Sequence, residues 1–351
     1  MGDGLRHPAD LVAWRRWHES RHAVRFAVRS ARARLRPRGP ELVELHVPAE
    51  GADLLVAVEA THASFAGAVV APLAHLPADR TAVVAPAGWT PPDGYDGHRR
   101  STVSLDRLAG LVSPRAVLAA GHYTPIGEAA FALSEARGLP FLVSQHGALT
   151  PHAPPLPRAA HLLAWTEADA GFWTTGRHDI DVTVTGSQLL WNAGLATAAE
   201  AAPPTGGAPG PLTYLGQGHA AEVSRARLAR AALSTCREHG AVYRPHPSER
   251  DVTSRAVLRA FDRAGVRVVT DGPPLVELVA PVVSVFSTGV LEAAARGRDA
   301  WVDFPRPPAW LGEFWERYGM HPLGDSPTPA PARPEVEPAR RVAQAVVEAA
   351  S

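Results

Sequence analysis

The sequence has one cysteine in 351 residues, Cys236, so an internal disulfide and any multi-cysteine metal site are excluded. It has no lysine: the basic residues, 35 in all, are arginine, balanced by 35 acidic ones. Arginine abundance is therefore a property of the whole composition and weak evidence for an anion site; position has to decide. Long apolar runs are missing too, both the ~20 residues that would cross a bilayer and the shorter core of a secretion signal at the start, so a cytoplasmic protein is expected. No Walker loop, zinc-ligand spacing or Gly-x-Ser-x-Gly elbow occurs, which leaves no motif for a P-loop NTPase, a zinc hydrolase or an α/β-hydrolase. No metal and no cofactor is expected.

What is present is a globular composition, 46% hydrophobic and 20% charged, with room for two domains, since single domains cluster near ~100–150 residues. Strand-like runs fall at 41–47, 53–58, 81–85, 116–120, 140–144, 161–165 and 181–185, with helical patterns at 63–76 and 128–137. Residues 196–211, rich in alanine, proline and glycine, read as a linker. The alternation then restarts, with strands at 212–215, 241–244, 266–270, 282–286 and 300–303 and helices at 221–239, 252–264, 274–279 and 289–296. Such alternation implies parallel βαβ units. The expected fold class is α/β: two Rossmann-like domains, 41–195 and 212–334, facing across a cleft. A helical segment at 1–40 precedes them and a C-terminal helix at 335–351 follows.

The stretch richest in chemistry is Val242-Tyr-Arg-Pro-His-Pro-Ser-Glu249. Pro245 and Pro247 fix φ and bias the residues before them towards extended geometry, so His246 stands on a stiff loop at a strand's carboxyl end. Ser248 reads as a helix N-cap ahead of Glu249 and Asp251. Ligands of open α/β sheets bind outside the carboxyl ends of strands, and Arg244 with His246 suit a phosphate there. The plainer alternative is a surface loop with an incidental histidine. Ser287-Thr-Gly-Val-Leu-Glu292 sets two hydroxyls and Gly289 at a helix start, where N–H groups hold anions, with Glu292 one turn inside; alone it is a simple N-cap. Gly216-Gln-Gly-His219 resembles a dinucleotide fingerprint with Ala221 in the third glycine's place. The following strand carries no ribose-binding acid, so a nicotinamide enzyme ranks low, and Gly216, Gln217 and Gly218 are kept as lining of a phosphate pocket. Ser144-Gln-His-Gly147 ends a strand of the first domain and leaves His146 either at the cleft or satisfied in the interior. Asp179-Ile-Asp181 has the spacing of a metal-binding pair and is read as chance.

Taken in order, Gln145-His-Gly147, Tyr243-Arg-Pro-His-Pro247 and Ser287-Thr288 with Glu292-Ala-Ala resemble bacterial GT-B-fold transferases of surface polysaccharides. That group includes the CDP-glycerol glycerophosphotransferases of teichoic acid synthesis, the capsule glycosyltransferases and the bacterial sialyl- and polysialyltransferases. The resemblance spans about residues 115–305, and the acidic Glu-Asp-Gly-type motif of the polysialyl branch is not evident. It implies a GT-B-like fold, with an acceptor in the first domain and a nucleotide-activated donor in the second. It implies that His246, Ser287 and Thr288 hold the donor phosphate or nucleotide and that His146 is a base or acceptor-site residue. From the residues themselves Arg244, Gly289 and Glu292 are placed beside that phosphate, and the catalytic candidates are His246 and His146, the latter as general base with Glu59 or Glu128 as alternatives. The expected function is metal-independent transfer of a sugar or polyol phosphate from a CDP-, CMP- or UDP-linked donor to a cell-surface glycan or lipid-linked acceptor. Two other classes stay open. One is a nucleotide-sugar 2-epimerase, which needs a carboxylate set and no acceptor. The other is a non-catalytic protein that holds RNA or membrane.

The last class draws on the start of the chain. Residues 1–40 contain ten arginines against Asp3, Asp10 and Glu19, with Trp14 and Trp17 interleaved. A basic aromatic helix can lie on an anionic membrane or bind nucleic acid; its rival is a helix packed on the body with a solvated arginine face. Residues 1–38 are the candidate platform for peripheral attachment to the inner face of the plasma membrane, and nucleic acid ranks below it.

Overall fold

A computed structural model describes residues 4–21, 41–199, 210–271 and 275–351, and the fold is α/β with two sheets. Two compact units divide it: the described residues up to Leu189 together with Pro334–Ser351, and Leu190–Arg333.

In the first unit, helix α1 (Leu11–Arg21) precedes strands β1 (Leu42–Val47), β2 (Leu54–Ala57), β3 (Thr81–Pro86), β4 (Arg99–Ser104), β5 (Ala116–Ala119), β6 (Phe141–Ser144), β7 (His161–Ala164) and β8 (Asp181–Val184). The sheet order is β4-β1-β3-β2-β5-β6-β7-β8. Neighbours from β3 to β8 run parallel, and β1 is antiparallel to both β3 and β4. The central strands are short apolar runs because both of their faces are covered. Successive side chains point to opposite faces. Leu55, Ala57, Val117 and Val143 therefore share one core with Ile126, Ala130 and Leu133 of helix α2 (Pro125–Arg137). Leu54, Val56, Leu118 and Leu142 share the other with Val69, Leu73 and, from the C-terminal helix Pro338–Ala349, Val342 and Val346. Each such Leu or Val contributes roughly 1.5–3 kcal/mol by leaving water.

The second unit repeats the plan with strands β9 (Thr213–Leu215), β10 (Val242–Arg244), β11 (Val282–Ser284) and β12 (Ala300–Val302), all parallel, in the order β10-β9-β11-β12. Helices α3 (Arg225–His239), α4 (Val252–Arg263) and α5 (Thr288–Ala295) cover the sheet, α3 ending at Gly240 in the left-handed conformation that glycine adopts freely.

Local departures from the sequence reading have physical causes. Residues 63–75 are not one α-helix: Ala63–Phe65 is α, Ala66–Val70 widens to π and Ala71–His75 tightens to 3-10, with Pro72 lacking the N–H that an α ladder needs. Strand β4 escapes the apolar pattern because it is a polar, largely exposed edge. The expected strand at 266–270 shrinks to one bridge, Tyr243 with Val268. Ser248 is not the cap of α4; Asp251 is, its carboxylate accepting from Ser254 N at 2.8 Å. The linker expected at 196–211 falls mostly outside the described residues, and its first residues, to Ala199, finish the helix Gln188–Ala199.

Candidate functional site

Both sheets have a topological switch point, where one connection leaves to the left and the next to the right, and where open α/β sheets leave a crevice. In the first unit it lies between β2, whose next strand β3 sits on one side, and β5 on the other. Glu59 follows β2 and the loop Gly121–Thr124 follows β5. Glu59 accepts hydrogen bonds from Ala120 N and from Thr124 Oγ1, both at 2.9 Å. Thr124 caps α2 by accepting from Gly127 N at 3.1 Å. The approach is so close that a Cβ on Gly127 would stand 2.1 Å from Gly121 O and 2.2 Å from Glu59 Oε1. Burial pushes the Glu59 carboxyl up to about 7, against the pull of its two hydrogen bonds.

His146 lies one strand further along, after β6. Its Nε2 is 3.3 Å from the Tyr123 hydroxyl, its ring packs on Phe65 at 4.2 Å between centroids, and its buried Nδ1 has no hydrogen-bond partner among the described residues. Burial, aided by the charge of His62, lowers its pKa to about 4, so the imidazole is neutral. Gln145 is a brace: it accepts from Trp165 N at 2.9 Å and donates to Gly147 O at 3.0 Å. Helix α1 packs beside these residues. Trp14 meets the Tyr123 ring edge-on and donates from Nε1 to His152 O at 2.8 Å, Trp17 stacks on His152 at 4.3 Å, and Arg15 pairs with Glu128 at 2.7 Å. Leu5 reaches the core, and Arg6 N donates to Pro151 O. Over residues 4–21 the basic segment is thus packed on the body. The stretch 22–38, with six of the ten arginines, lies outside the described residues.

In the second unit the switch point lies between β9 and β11. The three loops singled out in the sequence, Gly216–His219 after β9, Pro245–Glu249 after β10 and Ser287 after β11, leave the carboxyl ends of adjacent strands. Glu249, which the sequence reading took for part of an acidic helix start, latches two of them. Buried at 6% exposure, it accepts from Tyr243 OH at 2.9 Å, Gly218 N at 3.1 Å and His246 N at 3.1 Å. A Cβ on Gly216 would meet the Tyr243 hydroxyl at 2.4 Å and Glu249 at 2.7 Å, so the close packing needs glycine there. Gln217 ties in the third loop: its Oε1 accepts from Phe286 N at 2.8 Å and Ser284 Oγ at 3.2 Å. Gln217 is a buried brace, and the exposed groups are elsewhere.

His246 is exposed, and its Nδ1 accepts from Ser248 N at 3.1 Å, which leaves the neutral ring's proton on Nε2. Its ring stacks on His219, centroids 3.8 Å apart and planes 21° from parallel. Arg244 is half-buried. Ser287 caps α5 by accepting from Gly289 N at 3.1 Å, Thr288 opens that helix, and Gly289 packs where a Cβ would meet Leu275 at 2.8 Å and Leu215 at 3.0 Å. Burial raises the pKa of Glu292, with Arg296 opposing. The structure therefore sets Arg244, His246, Gly216, Gln217, Gly218, Ser287, Thr288 and Gly289 at the carboxyl ends of β10, β9 and β11, with Glu292 buried one turn inside α5, while His146 belongs to the first unit. His219, which the sequence reading quoted but did not choose, stands directly after Gly-x-Gly beyond the end of β9. Asp179 is spent on Arg177, at 2.7 Å.

No family model matches the chain, and no curated protein does. Two solved structures of the UDP-GlcNAc 2-epimerase of Methanocaldococcus jannaschii are similar. One, in complex with UDP-GlcNAc and UDP, shows 12% identity and a TM-score of 0.45 over 70% of this chain and 79% of that one. The other shows 10% identity and a TM-score of 0.39 over 70% and 80%. At these scores the likeness assigns nothing to this chain. Among the described residues no helix is long and apolar enough to cross a membrane.

Proposed function

We propose that the protein is a transferase that takes a nucleotide-activated sugar or polyol phosphate on its second unit and passes the group to a glycan or lipid-linked acceptor. One observation carries the reading: three loops latched together at the second unit's switch point, presenting an imidazole N–H, an arginine and a helix start. Such preorganised donors stabilise the charge that develops on a departing phosphate. His246, with its proton on Nε2, acts there as a donor and not as a base.

The first unit offers two candidates for the general base that takes the proton of the attacking hydroxyl, Glu59 and His146. General bases work best with a pKa near the working pH. Glu59, at about 7, fits better than His146, at about 4. In this reading the acceptor O–H loses its proton to Glu59 as its oxygen forms the new bond. The bond from the transferred group to the nucleotide oxygen breaks, and the nucleotide leaves with the electron pair. His146 and Tyr123 orient the acceptor. Glu128 is committed to Arg15 at the surface.

Thermal stabilisation by CDP, UDP, GDP and CMP tests the donor site, because a ligand bound to the folded state raises the melting temperature by mass action. A nucleotide should stabilise the wild type and not His246→Ala. A 2-epimerase acting on the same donor would change the sugar with no acceptor present, so incubation of the donor alone, followed by analysis of its stereochemistry, separates the two enzymes. Conversion without acceptor would overturn the transferase reading.

A further inference from the structure

We propose that His219 is a ligand of the anion held by the second unit, and that this anion is a diphosphate, the leaving group of a nucleoside-diphosphate donor. The proposal rests on the donor reading above and narrows it, since a nucleoside monophosphate donor would offer a single phosphate.

The observation behind it is the stacked pair His219 and His246. Two imidazoles face to face, from loops on neighbouring strands, set their ring edges side by side. The arrangement is held in place from below: Glu249 accepts from the backbone of both loops, and the glycines on either side of Gln217 admit no side chain without striking Glu249 or Tyr243. The pair is therefore a fixed feature of the sheet edge and not two chance neighbours. One imidazole suffices to donate to one phosphate oxygen. A second, in contact with the first and rigidly supported, matches a ligand with a second set of oxygens next to the first.

The width of the edge points the same way. His246 follows β10, His219 follows β9 and Ser287 follows β11. Adjacent strands lie about 4.8 Å apart, so the loops of β10 and β11 are separated by roughly 10 Å across β9. Hydrogen bonds of about 2.8 Å on opposite sides of a single tetrahedral phosphate fall short of that span unless side chains lean in. Two phosphates joined through a bridging oxygen cover it, with one against His246 and one against His219 towards the start of α5.

The test is titration calorimetry of the full chain with paired ligands, CDP against CMP and UDP against UMP, and with inorganic pyrophosphate against inorganic phosphate. The wild type should bind the better diphosphate at least ~10-fold more tightly than the matching monophosphate, and pyrophosphate more tightly than phosphate. His219→Ala should remove most of that preference while leaving monophosphate affinity in place. His219→Asn, which keeps an N–H donor, should restore part of it. Equal binding of diphosphate and monophosphate by the wild type overturns the inference and leaves the donor site standing. So does unchanged diphosphate affinity in folded His219→Ala. If neither nucleotide series binds the wild type, the donor reading of the second unit falls and this inference falls with it.

Discussion

The two switch points occupy the same place in two similar sheets and hold opposite chemistry. In the first unit a half-buried carboxyl sits against a helix start, beside a neutral imidazole and a tyrosine. In the second, a buried carboxylate is turned under the loops, and beside it stand the exposed His246 and the half-buried His219 and Arg244. Both sites use an acid to organise backbone N–H groups, but Glu59 keeps its proton to near neutrality, whereas Glu249 collects three donors. Strand order fixes where a ligand binds; the first few residues after each strand decide what kind of ligand it is.

The largest expected effect falls on the first site. Gly127→Ala drives a methyl into Gly121 O and Glu59. The backbone contact cannot yield as a flexible side chain would, so the first unit should lose about 3 kcal/mol. Hydrogen exchange should show the loss in β2, β5 and α2, with the second unit's protection unchanged. Equal loss of protection in both units would break the comparison by making the sites one folding unit.

Glu59→Gln comes next. If Glu59 takes the proton, turnover should fall ~100-fold or more with nucleotide affinity unaltered. The wild type should also gain activity as pH rises through about 7, where the carboxyl ionises. Its stability should move the other way. A carboxyl with a raised folded-state pKa binds more protons folded than unfolded, so stability falls as pH climbs from the ordinary carboxyl range to about 7. Glu59→Gln should flatten that slope. If His146→Ala, and not Glu59→Gln, abolishes turnover, the proton belongs to the histidine.

The second site answers to smaller changes. His246→Ala should weaken nucleotide binding by roughly 1.5–3 kcal/mol, the cost of one charge-assisted hydrogen bond, and leave the melting temperature nearly unchanged because the ring is exposed. Glu249→Gln should do the reverse in part. It keeps Oε1 for the N–H groups of Gly218 and His246 but sets an amide N–H against the Tyr243 hydroxyl, which must turn from donor to acceptor, and it removes the charge that strengthens all three bonds, so about 1–3 kcal/mol of stability should go, and affinity with it. If Glu249→Gln changes neither, the loops are held by something else and the latch is not what distinguishes this site from Glu59's.

Much of this was legible beforehand, for reasons that differ by residue. The strands at 116–120, 140–144 and 282–286 announce themselves because a parallel strand buried on both faces must be a run of apolar residues. Pro245 and Pro247 announce a loop because proline cannot extend a helix. Strand β4 could not be read, being a polar edge whose pairing with β1 comes from tertiary context. The role of Glu249 was equally hidden. Nothing local distinguishes a carboxylate that starts a helix from one folded back under Gly218, six residues beyond Tyr243 in sequence yet bonded to its hydroxyl. Glu59 gave a partial sign, an acid directly after a buried strand, but its raised pKa depends on Thr124, Ala120 and Gly127, which the fold alone assembles.

The smallest effect concerns α1, which borders the first site and has no counterpart described at the second. Arg15 and Glu128 form an ion pair with side chains 35% and 56% exposed. Exposed pairs of this kind are worth about 0.2–1 kcal/mol because water and salt screen them and two long side chains must be held still. Arg15→Ala should therefore move the melting temperature very little, and less still at high salt. Trp14 lies on the same helix but donates to His152 O and packs against Tyr123, so Trp14→Ala should lower the melting temperature distinctly and disturb turnover through Tyr123. The same pair of variants examines the membrane idea. Arg15 is committed to Glu128, so any binding of the full chain to anionic liposomes at low salt should survive Arg15→Ala and depend on the arginines at 25–38. Loss of liposome binding in Arg15→Ala would mean that α1 leaves the body to reach the membrane, and the packing that sets the first site apart would then be one of two states.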